Sequence, residues 1–264
     1  MRGIDLLTPA EDDSLIQNLI FLALVHGQMV EPPVKARSIR ALARFLDLPY
    51  PTVRRHAQEL VRSGRCSVVA GGLAVPSSIR RNRTTTAMLR KIYLNAARLL
   101  VDLSRIGFVN LAASALRAPR SRQQVRQQKI ITIEATSRLL AAVRLVQDVF
   151  QGDVIKGLVY TAIWTANVRH VTGSIETLST PTVLPDALRL PVSVLAIASS
   201  LRLPYETVRR HTDALLRAGT CERLGRRGLI VPARIHQAAT PTTARVYEHA
   251  AELVANLRRA GVRL

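Results

Sequence analysis

The sequence predicts a mainly α-helical protein with two small β-hairpins, formed by one structural unit that occurs twice. The phrase LPYPTVRRH begins at Leu48, and LPYETVRRH, which agrees at eight of nine positions, begins at Leu203. The match extends to both sides in a fixed order: an apolar helix, the central motif, a short hairpin and another helix. An internal repeat of this length indicates duplicated structural units rather than a chance motif.

The composition favours a packed protein with a polyanionic partner. The 264 residues are 48% hydrophobic but only 4% aromatic, so we expect cores built mainly of Leu, Val, Ile and Ala. The chain carries 38 Lys and Arg against 18 Asp and Glu, which gives a formal net charge of +20. A positive field of this size favours nucleic acid first and an anionic membrane second.

The lack of a secretion signal and the spacing of the two cysteines predict a location in the cytoplasm. The N-terminal stretch MRGIDLLTPAEDDS lacks the hydrophobic core of a secretion signal, and the longest apolar run, from Leu15, is too short to span a bilayer. Cys66 and Cys221 show neither zinc-site spacing nor a disulfide framework. We therefore expect a cytoplasmic, nucleoid-associated protein without a metal, a cofactor or a membrane partner.

Each central motif begins with a short capped helix. Ser38 is a favoured N-cap residue, and Ser193 repeats it in the second copy. Apolar residues follow at helical spacing and define the face expected to be buried. These residues are Ile39, Leu42, Ala43 and Leu46 in the first copy, and Val194, Ile197, Ala198 and Leu201 in the second.

A second helix follows a tight turn and is predicted to begin near Pro51 or, in the second copy, near Glu206. Proline suits a first helical turn because it lacks the N–H, and glutamate suits the positive end of the helix dipole. Gly64 and Gly219 are expected to end these helices. The predicted buried stripe of the first copy consists of Val53, Ala57, Leu60 and Val61.

A sequence typical of a two-stranded hairpin comes next in each copy. CSVVAGGLAVP starts at Cys66, and CERLGRRGLIVP starts at Cys221 with one additional residue. Both place short alternating segments around a Gly-containing turn, and a proline then releases the chain from the sheet. We expect both cysteines to pack at the first strand, with a redox-sensing role as the open alternative.

This layout resembles winged helix-turn-helix transcription regulators of bacteria, of the MarR, ArsR and IclR kind. The resemblance rests on the spacing Ile39-x-x-Leu42-Ala43-x-x-Leu46-x-Leu48-Pro49-x-x-Thr52-Val53-Arg54-Arg55-His56, with Leu60 and Gly64 after it. It implies tandem duplicated winged-helix domains whose second helix is the recognition helix that enters the major groove of DNA. Pro51 is unusual in such a helix, and these families usually form homodimers instead of carrying two copies in one chain.

The expected DNA contacts lie at the front of each recognition helix and around each hairpin. Successive arginines are about 100° apart on a helix, so one can reach a base while the other meets a phosphate. The predicted residues are Tyr50, Thr52, Arg54, Arg55, Gln58, Arg80, Arg81 and Arg83, and in the second copy Tyr205, Thr207, Arg209, Arg210, Asp213, Arg223, Arg226 and Arg227. The arginines near its tip predict that the second hairpin contacts DNA more strongly than the first.

Two further features of the motif concern specificity and the histidines. The copies differ at Pro51/Glu206, Gln58/Asp213 and Glu59/Ala214, which predicts half-sites that are similar but not identical. His56 and His211 flank the buried stripe, and both a partly buried structural role and a DNA contact remain open for them.

The chain divides into a first unit at 12–110, a basic linker and bridging helix at 111–150, and a second unit at 151–264. We expect Arg117 to Lys129 to be an exposed linker, followed by a helix with an apolar face of Leu139, Leu140, Val143, Val146 and Val149. Helices from about Thr86 to Ile106 and from Thr242 to Ala260 have wide apolar faces, formed by Leu89, Ile92, Tyr93, Ala96, Leu99, Leu100 and Leu103 in the first and by Val246, Tyr247, Ala250, Ala251, Val254 and Leu257 in the second. They either pack together, which makes an intramolecular pseudo-dimer, or each cover their own domain, and a homodimer is the further alternative.

These patterns lead to three functional hypotheses. The chain contains no Gly-rich phosphate loop, HExxH, GxSxG or paired-carboxylate motif, so we predict that it is not an enzyme. The leading hypothesis is a sequence-specific transcription regulator of double-stranded DNA, expected to be a repressor. The alternatives are a plasmid or phage replication initiator with tandem winged helices, and a protein-docking module that binds no nucleic acid. No group of polar residues marks a pocket for an effector.

Overall fold

The computed structural model describes residues 14–30, 36–105, 107–110, 121–170, 183–226, 228–238 and 240–262. It is mainly helical with two small antiparallel hairpins, as the sequence predicted. The helices are α1 Leu15–Val30, α2 Ile39–Leu46, α3 Tyr50–Arg62, α4 Ser77–Arg80, α5 Arg83–Arg105, α6 Arg122–Val149, α7 Val154–Val168, α8 Val194–Leu201, α9 Tyr205–Arg217, α10 Ala233–Ala238 and α11 Thr240–Arg259. The strands are β1 Ser67–Val69, β2 Gly72–Ala74, β3 Glu222–Leu224 and β4 Gly228–Ile230. None of the described helices combines the length and apolar character needed to cross a membrane.

The elements occur in two matching series on either side of one unmatched helix. In the first series α1, α2, α3, the β1–β2 hairpin, α4 and α5 follow one another, and the second series repeats this order from α7 to α11. The long helix α6 lies between the series and has no counterpart among the described helices of either. The repeat in the sequence is therefore a repeat of secondary structure as well.

The predicted helix caps and buried faces are confirmed. The Ser38 hydroxyl accepts a hydrogen bond from the Ala41 N–H at 3.2 Å, and the Ser193 hydroxyl accepts one from the Ala196 N–H at 3.1 Å. Six of the eight predicted face residues are buried, while the first of each set, Ile39 and Val194, is half-buried. The capped helices therefore present the expected sides to the two cores.

The predicted recognition helices start one residue earlier than expected, at Tyr50 and Tyr205. Val53, Ala57 and Leu60 are buried as predicted. Val61 is only half-buried, and His56, 9% exposed, belongs to the buried face instead. Helix geometry explains why His56 is buried, since it lies one turn after Val53 and one turn before Leu60 on the same face of α3.

The two hairpins differ by one residue, and the structure locates this residue in the turn. Ser67 pairs with Ala74 and Val69 with Gly72, whereas Glu222 pairs with Ile230 and Leu224 with Gly228. A third segment joins each hairpin through a single bridge, Arg37 to Leu73 and Val192 to Leu229. Sequence reasoning missed these bridges, which tie the residues before α2 and α8 to the second strand of the neighbouring hairpin.

The basic segment expected to be a linker is partly helical. Residues 111–120 lie outside the described part of the chain, but α6 already begins at Arg122. The Ser121 hydroxyl caps this helix by accepting a hydrogen bond from the Gln124 N–H at 3.2 Å. Arginine and glutamine have high helix propensity, so a capped run of them continues the helix instead of ending it.

Helix α6 is the common support of both series. Ile131 of α6 packs in one cluster with Leu100 of α5 and Leu257 of α11, while Leu140 and Val143 of α6 belong to the core around α1, α2 and α3. Polar contacts reinforce the α6–α11 packing through the ion pair of Arg138 with Glu252 and through Asn256, whose amide donates to Glu134 at 2.9 Å. Three residues of the predicted apolar faces are exposed instead: Leu99, Val149 and Ala251.

The cysteines are packed into the cores. Cys66 and Cys221 are 3% and 1% exposed, and burial raises the pKa of the Cys66 thiol to about 11 and that of Cys221 to about 12. At neutral pH both are therefore protonated thiols, which are poor nucleophiles. These surroundings favour the packing role over redox sensing.

Candidate nucleic-acid interface

The front ends of α3 and α9 expose the side chains predicted to contact DNA. Tyr50 and Tyr205 are each 45% exposed at the turns. Arg54, Arg55, Gln58, Arg209 and Arg210 are exposed, and Thr52, Thr207 and Asp213 are half-buried. On α9, one shallow depression is lined by Glu206, Thr207, Arg209, Arg210, Asp213 and Arg217, so these six residues share a surface.

The turn before each helix fixes the direction in which this front end points. Asp47 and Arg202, the last residues before the turns, adopt left-handed conformations with φ of 52° and 49°. In the first copy, the buried Gln147 of α6 donates a hydrogen bond to the Asp47 carbonyl at 3.2 Å. The shared helix α6 thus holds the turn that leads into α3.

His56 and His211 lie on the inner faces of α3 and α9 instead of facing solvent. His56 Nδ1 lies 3.1 Å from the hydroxyl of Ser14, the residue before α1, and His211 Nδ1 lies 3.3 Å from the carboxylate of Asp153, the N-cap of α7. Each histidine therefore joins α3 or α9 to the start of the first helix of its own series. This arrangement favours the structural role over the DNA contact.

We expect these two histidines to make the protein less stable in mild acid. Burial is the main cause that lowers the pKa of both below the ordinary value of 6.5, with Arg55 lowering it further for His56, and Asp153 opposing the shift for His211. An unfolded chain then binds more protons than the folded one as the pH falls through 6.5, so the free energy of unfolding decreases there and levels off below the folded-state pKa.

Urea denaturation at several pH values between 7.5 and 5 measures this effect. The variant His56→Gln/His211→Gln should lose less stability over the same interval than the wild type. Equal pH dependence in the two proteins would contradict the assignment, and other titrating groups cancel because both proteins contain them.

Two buried amides, which sequence reasoning missed, fasten the hairpins to α1 and α7. Asn167 donates to the carbonyls of Leu190 at 2.8 Å and Leu229 at 3.0 Å, and it accepts from the Val231 N–H at 2.9 Å. Gln28 has the equivalent place on α1: with its amide nitrogen toward the Val75 carbonyl, it donates there at 3.3 Å and accepts from the Val75 N–H at 2.9 Å. A polar residue near the end of each otherwise apolar helix was the available signal.

Asn167→Leu should lower the free energy of unfolding by about 2 to 3 kcal/mol. The change keeps the side-chain size but leaves the buried Val231 N–H without its amide acceptor, and a buried polar group that loses its partner costs roughly 1–3 kcal/mol. Chemical denaturation measures the loss. The exposed Gln123→Leu serves as the control and should change stability by less than about 0.5 kcal/mol, and equal effects of the two changes would refute the role of Asn167.

The arginines around the hairpins are not all equally free to bind. Arg223 and Arg226 are exposed, although Arg223 lies 3.8 Å from the Asp213 carboxylate; Arg227 lies outside the described residues. After the first hairpin, Arg81 and Arg83 are exposed. Arg80 is half-buried.

Helices α3 and α9 differ in how their arginines are paired. Arg209 Nε donates to Glu206 at 2.9 Å, and a terminal nitrogen of the same guanidinium donates to Asp213 at 3.1 Å. In α3, Arg55 lies 3.3 Å from His56 Nε2, and among the described residues no carboxylate forms an ion pair with Arg54 or Arg55. Asp213, predicted as a DNA contact, is thus a partner of Arg209 and of Arg223 in the free protein.

No protein-family model, curated protein or solved structure matches this chain. Within the described residues, no group of three or more His, Cys, Asp or Glu side chains could hold a metal ion.

Proposed function

We propose that the protein is a sequence-specific transcription regulator that binds double-stranded DNA through two recognition helices, α3 and α9, and acts as a repressor. In this proposal the two series of elements are tandem winged-helix domains, arranged around α6 as an intramolecular pseudo-dimer. The observation that carries the proposal is the repeated exposed front end, in which a tyrosine, a threonine and two adjacent arginines occupy equivalent positions of two equivalent helices.

Electrostatics supports the same proposal. The chain has a net charge of +20, and the front of a helix that carries exposed arginines suits phosphate oxygens and guanine edges. Two such helices in one chain raise the affinity for a pair of neighbouring half-sites, because binding of the first brings the second to a high effective concentration.

The proposal is tested by selection from genomic fragments, followed by titration of the enriched duplex across a salt series. We expect one enriched sequence and a decrease of log K with log salt that reflects several phosphate contacts. Enriched fragments near promoters support a regulator, whereas iterated repeats at a replication origin would identify an initiator. The absence of any preferred sequence, together with affinity that does not depend on salt, would refute DNA binding.

A further inference from the structure

We propose that the two recognition helices divide the task of DNA binding: α3 supplies salt-sensitive affinity, and α9 supplies discrimination because two carboxylates hold Arg209. This inference rests on the proposed DNA-binding function and concerns how that site selects its sequence. It identifies Glu206 and Asp213 as specificity-determining residues that act partly through Arg209.

The geometry of α9 fixes one guanidinium from two sides. Glu206 precedes Arg209 by three residues and Asp213 follows it by four, so both carboxylates reach the same face of the helix. The hydrogen bonds of 2.9 Å and 3.1 Å leave the Arg209 side chain 50% exposed. The arginine is thus oriented before it meets a ligand, and it remains accessible.

The same positions of α3 contain no acid. Pro51 and Gln58 stand where α9 has Glu206 and Asp213. The exposed arginines of α3 therefore keep their full charge for phosphate. The first hairpin shows the same contrast, since Val68, 72% exposed, occupies the position at which the second hairpin has Arg223 beside Asp213.

Carboxylates at the front end of α9 would restrict the DNA sequences that this helix can bind. They repel phosphates and offset the charge of Arg209, which weakens attraction to DNA of arbitrary sequence. In the major groove, a carboxylate is accommodated where a cytosine amino group donates to it, and arginine is accommodated by the two acceptors of guanine. Helix α9 should therefore require G·C pairs in its half-site and reject other sequences by repulsion as well as by lost contacts.

The experiment compares three full-length proteins: the wild type, Glu206→Gln/Asp213→Asn, and the reciprocal variant Pro51→Glu/Gln58→Asp. Each is titrated with a duplex of random sequence over a salt series, and each is used to select from a randomised duplex library. All four substituted positions lie at exposed or half-buried sites, and thermal melting by circular dichroism checks that each variant is folded.

We expect Glu206→Gln/Asp213→Asn to bind the random duplex more tightly, with a salt slope steeper by about 0.9 for each phosphate newly engaged. It should also lose the G·C preference in one half of the selected site. The reciprocal variant should bind the random duplex more weakly, with a shallower slope. Unchanged slopes and selected sequences in both variants, beside a wild type that binds DNA, would overturn this inference alone. A wild type that binds no duplex would overturn the proposed function as well.

Discussion

Replacing Arg54, Arg55, Arg209 and Arg210 together by alanine should reduce DNA affinity at least about 100-fold at moderate salt. Each arginine contributes either a phosphate contact or a base contact, and a good bidentate base contact is worth about 1–3 kcal/mol. The slope of log K against log salt should decrease by about 0.9 for each arginine that neutralises a phosphate. Fluorescence anisotropy with the enriched duplex measures both quantities.

A control protein with the same change in net charge shows whether the loss of affinity depends on where the arginines lie or only on the total charge. Four exposed arginines lie on α5 and α11 and not on α3 or α9: Arg90, Arg98, Arg105 and Arg258. Their replacement by alanine should weaken binding much less than the change at the front ends. Equal loss in the two proteins would show that the chain binds DNA only through its overall charge. Undiminished affinity in the first would show that the front ends of α3 and α9 are not the DNA-binding surface, and a wild type without DNA affinity would favour the protein-docking hypothesis.

Gly72→Ala should lower the free energy of unfolding by about 3 to 5 kcal/mol. Gly72 has φ of 135°, a conformation that side chains rarely adopt, and an added Cβ would overlap the Arg37 carbonyl across the bridge to β2. Backbone strain of this kind costs about 1–3 kcal/mol, and overpacking adds about 1–3 kcal/mol. Denaturation by urea measures the loss.

Two glycines provide the comparison. Gly64 has φ of 69° but no neighbouring atom within 4 Å of an added Cβ, so Gly64→Ala should cost only about 1–2 kcal/mol. Gly228 in the second hairpin lies outside the left-handed region, but an added Cβ would lie 2.5 Å from the Pro191 side chain. Gly228→Ala should fall between the two, and a loss at Gly72 no larger than at Gly64 would contradict the close approach.

Local sequence patterns predicted the elements that depend on neighbours along the chain. The serine caps, the faces of α2 and α8, the hairpins and the inserted residue all follow from spacing and turn chemistry within a few residues. The exposed placement of Arg54 and Arg209 follows from the same periodicity, because the apolar stripe leaves them on the opposite side.

Features that depend on distant contacts were not predictable in this way. The place of Leu99 outside the shared cluster, the hydrogen bonds of Asn167 and the packing of α6 all require knowledge of which segments meet in space. The ion pairs of Arg209 with Glu206 and Asp213 could have been predicted from the sequence, since the two acids lie three residues before and four residues after the arginine. From the sequence, Glu206 is expected to suit the helix dipole and Asp213 to contact DNA, and both are expected to distinguish the half-sites; their pairing with Arg209 is a finding of the structure.

The unmatched helix α6 determines how cooperatively the protein unfolds. It contributes to the core of the first series through Leu140 and Val143 and to the cluster of α5 and α11 through Ile131, so each series loses apolar contacts when this helix is lost. Unfolding should therefore be cooperative across the chain: we expect one calorimetric transition for the whole protein, in place of a separate transition for each series.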